Sequence, residues 1–394
     1  MPTPAVSRFA SASQWQLVWW SFRKHKLAMV GAVVTLLIYI VAAMPHFFAI
    51  NDPSQQNART VYHPPQPLHL FDSTAEGGWT FRLHVQAMQL RRDPVSLAPI
   101  YSPDPNRKVD LRFFAEGYPY RLFGLIDTNI HLLGSGDTRQ PIFFLGSDRL
   151  GRYVWSRIVV GCQISMSIGL VGVALSLIIG IILGGISGYY GGKIDFVIQR
   201  VIEFILALPT IPIWLALAAA LPQNWPALLH YFMITLILSL IGWAQLARVV
   251  RGRFLSLRTE DFVTAVEPGG GNEVLGRFLS LRTEDFVTAA RLDGASEMRI
   301  IFRHMLPSFM SHIVASVTLA IPAMILAETA LSFLGLGLQP PVISWGVLLR
   351  EAQNIRSIVT APWLFAPGVA VVVAVLALNF LGDGLRDAAD PYSR

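Results

Sequence analysis

The sequence predicts an all-α membrane protein with six transmembrane helices and an insert of mixed secondary structure between the first two. Three observations lead to this prediction. Apolar residues make up 53% of the 394 residues and charged residues only 14%, whereas soluble domains carry about 25% charged residues. Uncharged runs recur at lengths near the roughly 20 residues that cross a bilayer. The excess of 31 Lys and Arg over 25 Asp and Glu fits the basic cytoplasmic loops of a membrane protein better than a nucleic-acid site.

The six spans follow from the apolar runs taken in chain order. They are predicted at 27–48, 161–188, two within 204–247, 308–334 and 361–381. The first run is too long for the apolar core of a signal peptide, so we expect it to stay as an anchor. The uncharged run 204–247 is too long for one helix, and Pro222 and Pro226 divide it into a hairpin of two spans.

The distribution of Lys and Arg predicts which side each segment faces. The basic segments are the tail 1–26, the turn 189–200, the loop 248–303 and the C-terminal tail from Arg386. They fall on one side of the six spans, which is the cytoplasmic side by the positive-inside rule. Both termini, including 387–394, are therefore expected in the cytoplasm. Arg350 and Arg356 are exceptions on the outer side, where Glu351 partly balances them.

Two segments outside the spans have a predicted character of their own. In the tail 1–26, Trp15, Trp19 and Arg23 have the spacing of an interfacial helix on the inner leaflet. The insert 49–147 is rich in proline, aromatic and charged residues, and alternating pieces such as Trp79–Val85 predict β-strands. Both flanking spans place it on the periplasmic side of the membrane, so we expect a periplasmic insert. The transmembrane domain proper is then 148–386.

The polar segment 285–307 is the most specific motif in the chain. It carries Ala289-Ala290, then Gly294, then His304 and Leu306-Pro307. Small residues present a bare helix face that a partner surface can approach closely, and Pro307 suits the start of a helix. This spacing resembles the "EAA" loop, within 248–307 here, by which permeases of binding-protein-dependent ABC importers dock onto an ATPase. The docking residues that the resemblance implies are Ala289, Ala290, Arg291, Asp293, Gly294, Ala295, Ser296, His304, Leu306 and Pro307.

Residues 252–265 and 276–289 are identical over fourteen positions and are offset by 24. Solenoid repeats need three or more copies, so we interpret the pair as a tandem duplication or an error in sequence assembly. The first copy continues the fourth span and is predicted to extend its helix. Only the second copy runs on into Gly294 and Pro307, so the docking site is predicted there.

Three further blocks resemble the dipeptide, oligopeptide and nickel branch of the same permeases. They are Leu145–Arg157 (LGSDRLGRYVWSR), Leu331–Pro341 (LSFLGLGLQPP) with Ser344-Trp345-Gly346, and Asn379–Pro391 (NFLGDGLRDAADP). Tyr153 stands where the branch usually has an acid. Together with the docking loop, the resemblance covers 145–394 and leaves 50–144 without a counterpart.

The resemblance implies a type-I ABC importer permease subunit in the inner membrane of a bacterium. Such a chain moves peptides or a related small solute, delivered by a periplasmic solute-binding protein, into the cytoplasm. It is not itself an enzyme and holds no cofactor, because ATP is bound by two separate ATP-binding subunits. The other implied partners are a second permease subunit and membrane lipid, and no nucleic acid is expected.

Glycines at four-residue spacing predict close helix packing in the second span. They are Gly180, Gly184, Gly188 and Gly192, and small residues at this spacing let two helices touch through their backbones. A hinge is the alternative. The neighbouring Gly-Gly-Lys is not a phosphate-binding loop, because Ser187 and Ile194 stand where a Walker A motif needs Gly and Ser or Thr.

Glu328 is an acid deep in the fifth span and is a candidate for the transport pathway. The alternative interpretation is a structural acid that fixes helix packing by pairing with His312 or a neighbouring arginine. A function from another class, an ion-coupled secondary transporter, would use Glu328 as its proton site, and a third is a membrane scaffold for the ATPase. The single cysteine, Cys162, excludes a thiolate metal cluster. No metal site or catalytic constellation is evident.

Overall fold

The structure, a computed structural model, describes residues 14–73, 78–95, 99–137, 140–222, 224–264, 310–354 and 359–389. Five helices in these ranges are long and apolar enough to cross a membrane, and a bent pair of helices can make up a sixth span. This agrees with the six predicted spans. The helices are α1 Gln14–Phe22, α2 Lys26–Ala43, α3 Pro45–Phe48, α4 Val154–Tyr190, α5 Gly192–Ala207, α6 Thr210–Ala219, α7 Ala227–Thr264, α8 Met310–Phe333, α9 Trp345–Glu351 and α10 Ala366–Ala389.

The third span differs from its prediction. Instead of one helix from Phe204, the chain forms α5 and α6, which meet at an angle of 85°. Leu208 leaves the helical conformation with ψ of 140°, because the ring of Pro209 disfavours the α conformation in the residue before it. Hydropathy alone does not detect this break, since the sequence stays apolar through it.

Helix α4 is the central helix of the transmembrane domain. It packs along α7 and also contacts α8 and α2, while α10 packs between α2 and α8. The fully buried side chains of the shared core include Met166, Ile168, Leu238 and Ile325. Because lipid tails are as apolar as these side chains, close van der Waals packing and hydrogen bonds hold such helices together.

Helix α7 is 38 residues long and ends at Thr264. It therefore contains the first copy of the duplicated sequence up to its last residue but one. The prediction that this copy extends the fourth helix is confirmed. The second copy, 276–289, lies outside the described residues.

The insert contains the predicted strands, arranged as two antiparallel sheets. Strands β1 Leu68–Ser73, β2 Trp79–Arg92 and β3 Pro99–Asp110 form one sheet, and β4 Arg112–Leu122 and β5 Ile126–Gly134 form a hairpin. The hairpin turn has positive φ at Phe123 (53°) and Gly124 (72°), as in the type I′ turns that suit twisted strand pairs. Val85 and Val109 pair across β2 and β3 and are buried with Ile50.

Hydrogen bonds attach the base of the insert to the segment that leads into α4. The side chain of Gln66 accepts a bond from the backbone of Phe143 at 2.7 Å. Asn51 donates to the carbonyl of Ile142 at 2.7 Å, and the indole of Trp155 donates to the carbonyl of Phe48 at 3.2 Å. The insert therefore packs on the start of α4.

His63, at this junction, is expected to make the free energy of unfolding depend on pH. Its ring stacks on Phe143 at 3.9 Å between centroids, and its Nδ1 forms a hydrogen bond with the carbonyl oxygen of Pro64. Burial lowers the pKa of His63 to about 4, so the unfolded chain takes up this proton at a higher pH than the folded chain does. Above the ordinary histidine pKa, both states leave His63 neutral and the free energy of unfolding is at its full value. As the pH falls towards 4, the free energy of unfolding decreases by about 3 kcal/mol, because protons bind the unfolded chain first.

We expect a His63→Phe variant, which keeps the stacking, to show a weaker loss of thermal stability between about pH 7 and pH 4 than the wild type. Unfolding temperatures of the purified protein across this range measure the difference. Parallel pH profiles for the two proteins would contradict the assignment to His63.

Candidate functional site

Glu328 lies fully buried on α8, within a cage of serine hydroxyls. Ser332 and Ser344 each donate a hydrogen bond to Oε1 at 2.8 Å. Ser165 on α4 donates to Oε2 at 3.4 Å. These donors replace the water that a carboxylate loses on burial.

The same serines hold the backbone around the short helix α9. The amide of Trp345 donates to Ser165 at 3.1 Å, and the amide of Leu338 donates to Ser332 at 2.9 Å. Glu328 therefore joins α4, α8 and the start of α9. Its described hydrogen-bond partners are hydroxyls and not an arginine, which corrects that part of the sequence interpretation. The side chain of His312 lies outside the described residues.

The motif Leu145–Arg157 begins with a tight loop around Asp148, and its last four residues start α4. Asp148 Oδ1 accepts bonds from the amides of Leu150 (2.8 Å) and Arg152 (3.0 Å). Its Oδ2 accepts from Arg152 Nε at 2.7 Å. Gly151 turns the chain with φ of 73°, a conformation that favours glycine. The motif thus encodes an acid-centred loop.

Arg152 of this loop and Arg157 of α4 extend the contacts to the far end of α9. Arg152 donates to Glu351, and Arg157 Nη2 lies 3.5 Å from the same carboxylate oxygen. Arg157 Nε also lies 3.8 Å from Asp148. The four side chains, which we call the four-charge cluster, are at most 10% exposed and carry two charges of each sign. Burial raises the pKa of Glu351, and nearby Asp148 raises it further, while the arginines oppose the shift.

Helix α9 is consequently fixed to α4 at both ends. Its start is held by Ser344 and by the Trp345 indole, which donates to the carbonyl of Ile158 at 3.0 Å. Its end is held by Glu351 in the four-charge cluster. Gly346 allows the close approach to α8, because a Cβ there would lie 2.8 Å from the carbonyl oxygen of Thr329.

A solvent-accessible cavity of about 550 Å³ borders α9 and the Asp148 loop. Arg149 and Arg350 line it together with the carboxamides of Gln353 and Asn354. The sequence interpretation had Glu351 partly balancing Arg350 and Arg356. Instead, Glu351 turns to Arg152 and Arg157, because a buried carboxylate gains most from buried cations.

The predicted glycines of α4 lie mostly against α7. A Cβ at Gly184 would lie 2.5 Å from the carbonyl oxygen of Ala247, and one at Gly180 would lie 2.9 Å from Leu246 Cβ. Gly188 is also buried. Gly192 is different, and its predicted packing role was wrong. It begins α5 with φ of 55°, and a Cβ there would meet no atom within 4 Å.

A separate ion pair joins α5 and α7 near the end of α4. Arg251 on α7 binds both oxygens of Asp195 on α5, at 2.5 and 2.6 Å. Ser187 on α4 donates to Asp195 at 2.5 Å. This contact fixes three helices at the residue before the first copy begins. Nearby, Glu203 pairs with Arg200 at 2.7 Å on the exposed face of α5.

The ten predicted docking residues between Ala289 and Pro307 lie outside the described residues.

The contacts of Glu328, Ser344 and Glu351 bring together the motif blocks 145–157 and 331–346, which sequence reasoning had treated separately. Sequence reasoning missed the four-charge cluster, although three of its members belong to a recognised motif. The sequence signal for it was the run of charged residues Asp148, Arg152 and Arg157 just ahead of the predicted span 161–188. Charges that become buried there need partners of opposite sign.

Two models of known protein families match this chain. Residues 177–270 and 273–394 match the family described as binding-protein-dependent transport system inner membrane component. The two matched pieces meet within the spacer 266–275 between the duplicated copies. Residues 13–65 match the N-terminal TM domain of oligopeptide transport permease C.

Individual relatives extend the similarity to nearly the whole chain. The oligopeptide transport system permease protein OppC of Haemophilus influenzae is 34% identical over 269 residues, which cover 68% of this chain and 76% of the relative. OppC of Bacillus subtilis is 27% identical over 98% of this chain and 92% of its own length. The dipeptide transport system permease protein DppC of Bacillus subtilis is 34% identical over 64% of this chain and 69% of its own length.

Proposed function

This chain belongs to the family of binding-protein-dependent transport system inner membrane components, and we propose that it carries peptides across the bacterial inner membrane. Membership makes it a permease subunit of an ABC importer. The observation that carries the peptide assignment is the alignment with an oligopeptide permease over 98% of this chain. The dipeptide permease relative supports the same class of solute.

The proposed assembly contains this chain, a second permease subunit, two ATP-binding subunits and a periplasmic solute-binding protein. The basic segments place both termini and the loop 248–307 in the cytoplasm. The insert, α9 and the cavity then face the periplasm, where the binding protein delivers its peptide. An ion-coupled transporter is not favoured, because the chain belongs to an ATP-driven family.

The proposed mechanism couples ATP binding to a rocking motion of the helices. Closure of the ATP-binding subunits moves the docking residues around Gly294, and the attached spans pass between inward-open and outward-open states. Two features support movement of the helices as blocks: the glycine contact of α4 with α7 and the double attachment of α9 to α4. Each contact resists sliding between the helices that it joins. Relative motion is therefore expected between groups of joined helices and not within them.

The docking proposal predicts that Gly294→Arg uncouples the importer. The large cation would prevent close approach of the ATPase surface. In vesicles that contain the complete assembly, we expect ATP hydrolysis to continue while peptide uptake falls at least about tenfold, equivalent to about 1.4 kcal/mol of coupling. Gly270→Arg, in the spacer between the copies, is the matched control and should transport normally. Normal uptake by Gly294→Arg would refute the docking assignment.

A further inference from the structure

The cavity beside α9 contains two arginines that the four-charge cluster leaves without a carboxylate. Arg149 follows Asp148, whose carboxylate is occupied by Arg152 and by backbone amides. Arg350 precedes Glu351, whose carboxylate is occupied by Arg152 and Arg157. Neither Arg149 nor Arg350 forms an ion pair within the described part of the chain. The acids nearest in sequence therefore do not neutralise them.

The exposed Arg350 side chain places its guanidinium against the backbone of another segment. A Cβ at Gly335 would lie 2.7 Å from Arg350 Cζ and 2.9 Å from Nη2. The guanidinium thus lies against the chain at Gly335, whose φ of 81° suits glycine. A guanidinium that is already positioned loses less conformational freedom when it binds an anion.

The cavity has the size of a small-ligand site, and its lining is mainly polar and charged. Its volume of about 550 Å³ falls within the range of about 300–1,000 Å³ that is typical of such sites. Val347 and Pro340 supply the apolar part of the wall, while Gln353 and Asn354 add carboxamides. The Glu351 carboxylate also lines the cavity, but Arg152 and Arg157 pair with it. Paired arginines recognise planar carboxylates through short, charge-assisted hydrogen bonds.

We propose that this cavity binds the terminal carboxylate of a peptide as it enters the permease, with Arg149 and Arg350 as the binding residues. The proposal rests on the proposed function, which makes peptides the solute. A terminal carboxylate is common to peptides of every sequence, so one site of this kind serves a transporter of varied peptides. The neighbouring carboxamides suit the peptide backbone.

The test compares two probes on the complete assembly in lipid nanodiscs, without the binding protein. One is dansyl-labelled trialanine with a free carboxylate, and the other is its C-terminal amide. We expect the wild type to bind the acid at least about tenfold more tightly than the amide. Arg350→Gln and Arg149→Gln should each remove this preference. Arg200→Gln, in an exposed ion pair on α5, is the matched control and should keep it.

The outcomes separate this inference from the proposed function. Equal binding of acid and amide by the wild type, or an unchanged preference in both cavity variants, would overturn the carboxylate site. Variants that keep the preference but lose stimulation of ATP hydrolysis by the binding protein would assign the arginines to protein docking, which also overturns it. A wild-type assembly that takes up no peptide at all would instead overturn the proposed function.

Discussion

Replacing Glu351 with glutamine is expected to destabilise the folded permease by about 3–5 kcal/mol, because it leaves buried arginines without their shared carboxylate. Arg157 would retain only Asp148, which lies 3.8 Å away. The four-charge cluster would change from neutral to a net positive charge. The end of α9 would also lose its attachment to α4. Thermal unfolding of the purified protein, followed by tryptophan fluorescence, measures the effect.

Glu203→Gln provides the matched control for this prediction. It makes the same chemical change at an ion pair whose side chains are 46–64% exposed, and exposed pairs contribute only about 0–1 kcal/mol. A Glu351→Gln protein that unfolds at the temperature of the Glu203→Gln protein would show that the cluster does not stabilise the fold.

Gly184→Ala is expected to force α4 and α7 apart. The new methyl group would lie 2.5 Å from the carbonyl oxygen of Ala247 and 3.0 Å from Val250 Cβ. The first contact is with backbone, so no side-chain rotation relieves it, and overpacking of this kind costs about 1–3 kcal/mol. Unfolding temperature and the yield of folded protein after detergent extraction should both fall.

Gly252→Ala is the control for the glycine contact. It lies on the helix α7, and a Cβ there would meet no atom within 4 Å. Alanine favours a helix over glycine by about 1 kcal/mol, so this variant should be as stable as the wild type or more stable. Equal losses for both substitutions would indicate a general sensitivity of these helices and not the predicted contact.

The sequence predicted the number of spans because a bilayer of fixed thickness demands apolar runs of similar length. It did not predict the break at Leu208, which depends on a local steric effect of Pro209 and not on hydropathy. Strands in the insert were predicted from alternation. Their register was not, because pairs such as Val85 with Val109 depend on which strands meet.

The site was predicted in part for similar reasons. Periodicity identified the glycine contact of α4, but it also included Gly192, which lies beyond the end of α4 and begins α5 away from any packed neighbour. The Asp148 loop is local in sequence and was visible as a motif. The pairing of Arg152 with Glu351 joins residues 199 positions apart, and a single sequence gives no means of finding such a partner.

The bend between α5 and α6 limits how much of the bilayer the third span can cross. Helix α6 has 10 residues, which correspond to about 15 Å at 1.5 Å per residue, against a hydrocarbon core of about 30 Å. Helix α5 leaves at 85° and adds little depth. A hydrophobic mismatch of this size is relieved by local thinning of the bilayer or by replacing lipid with protein. When α6 lies along the membrane normal, we therefore expect the membrane beside it to be thinner than average or to be replaced there by another subunit.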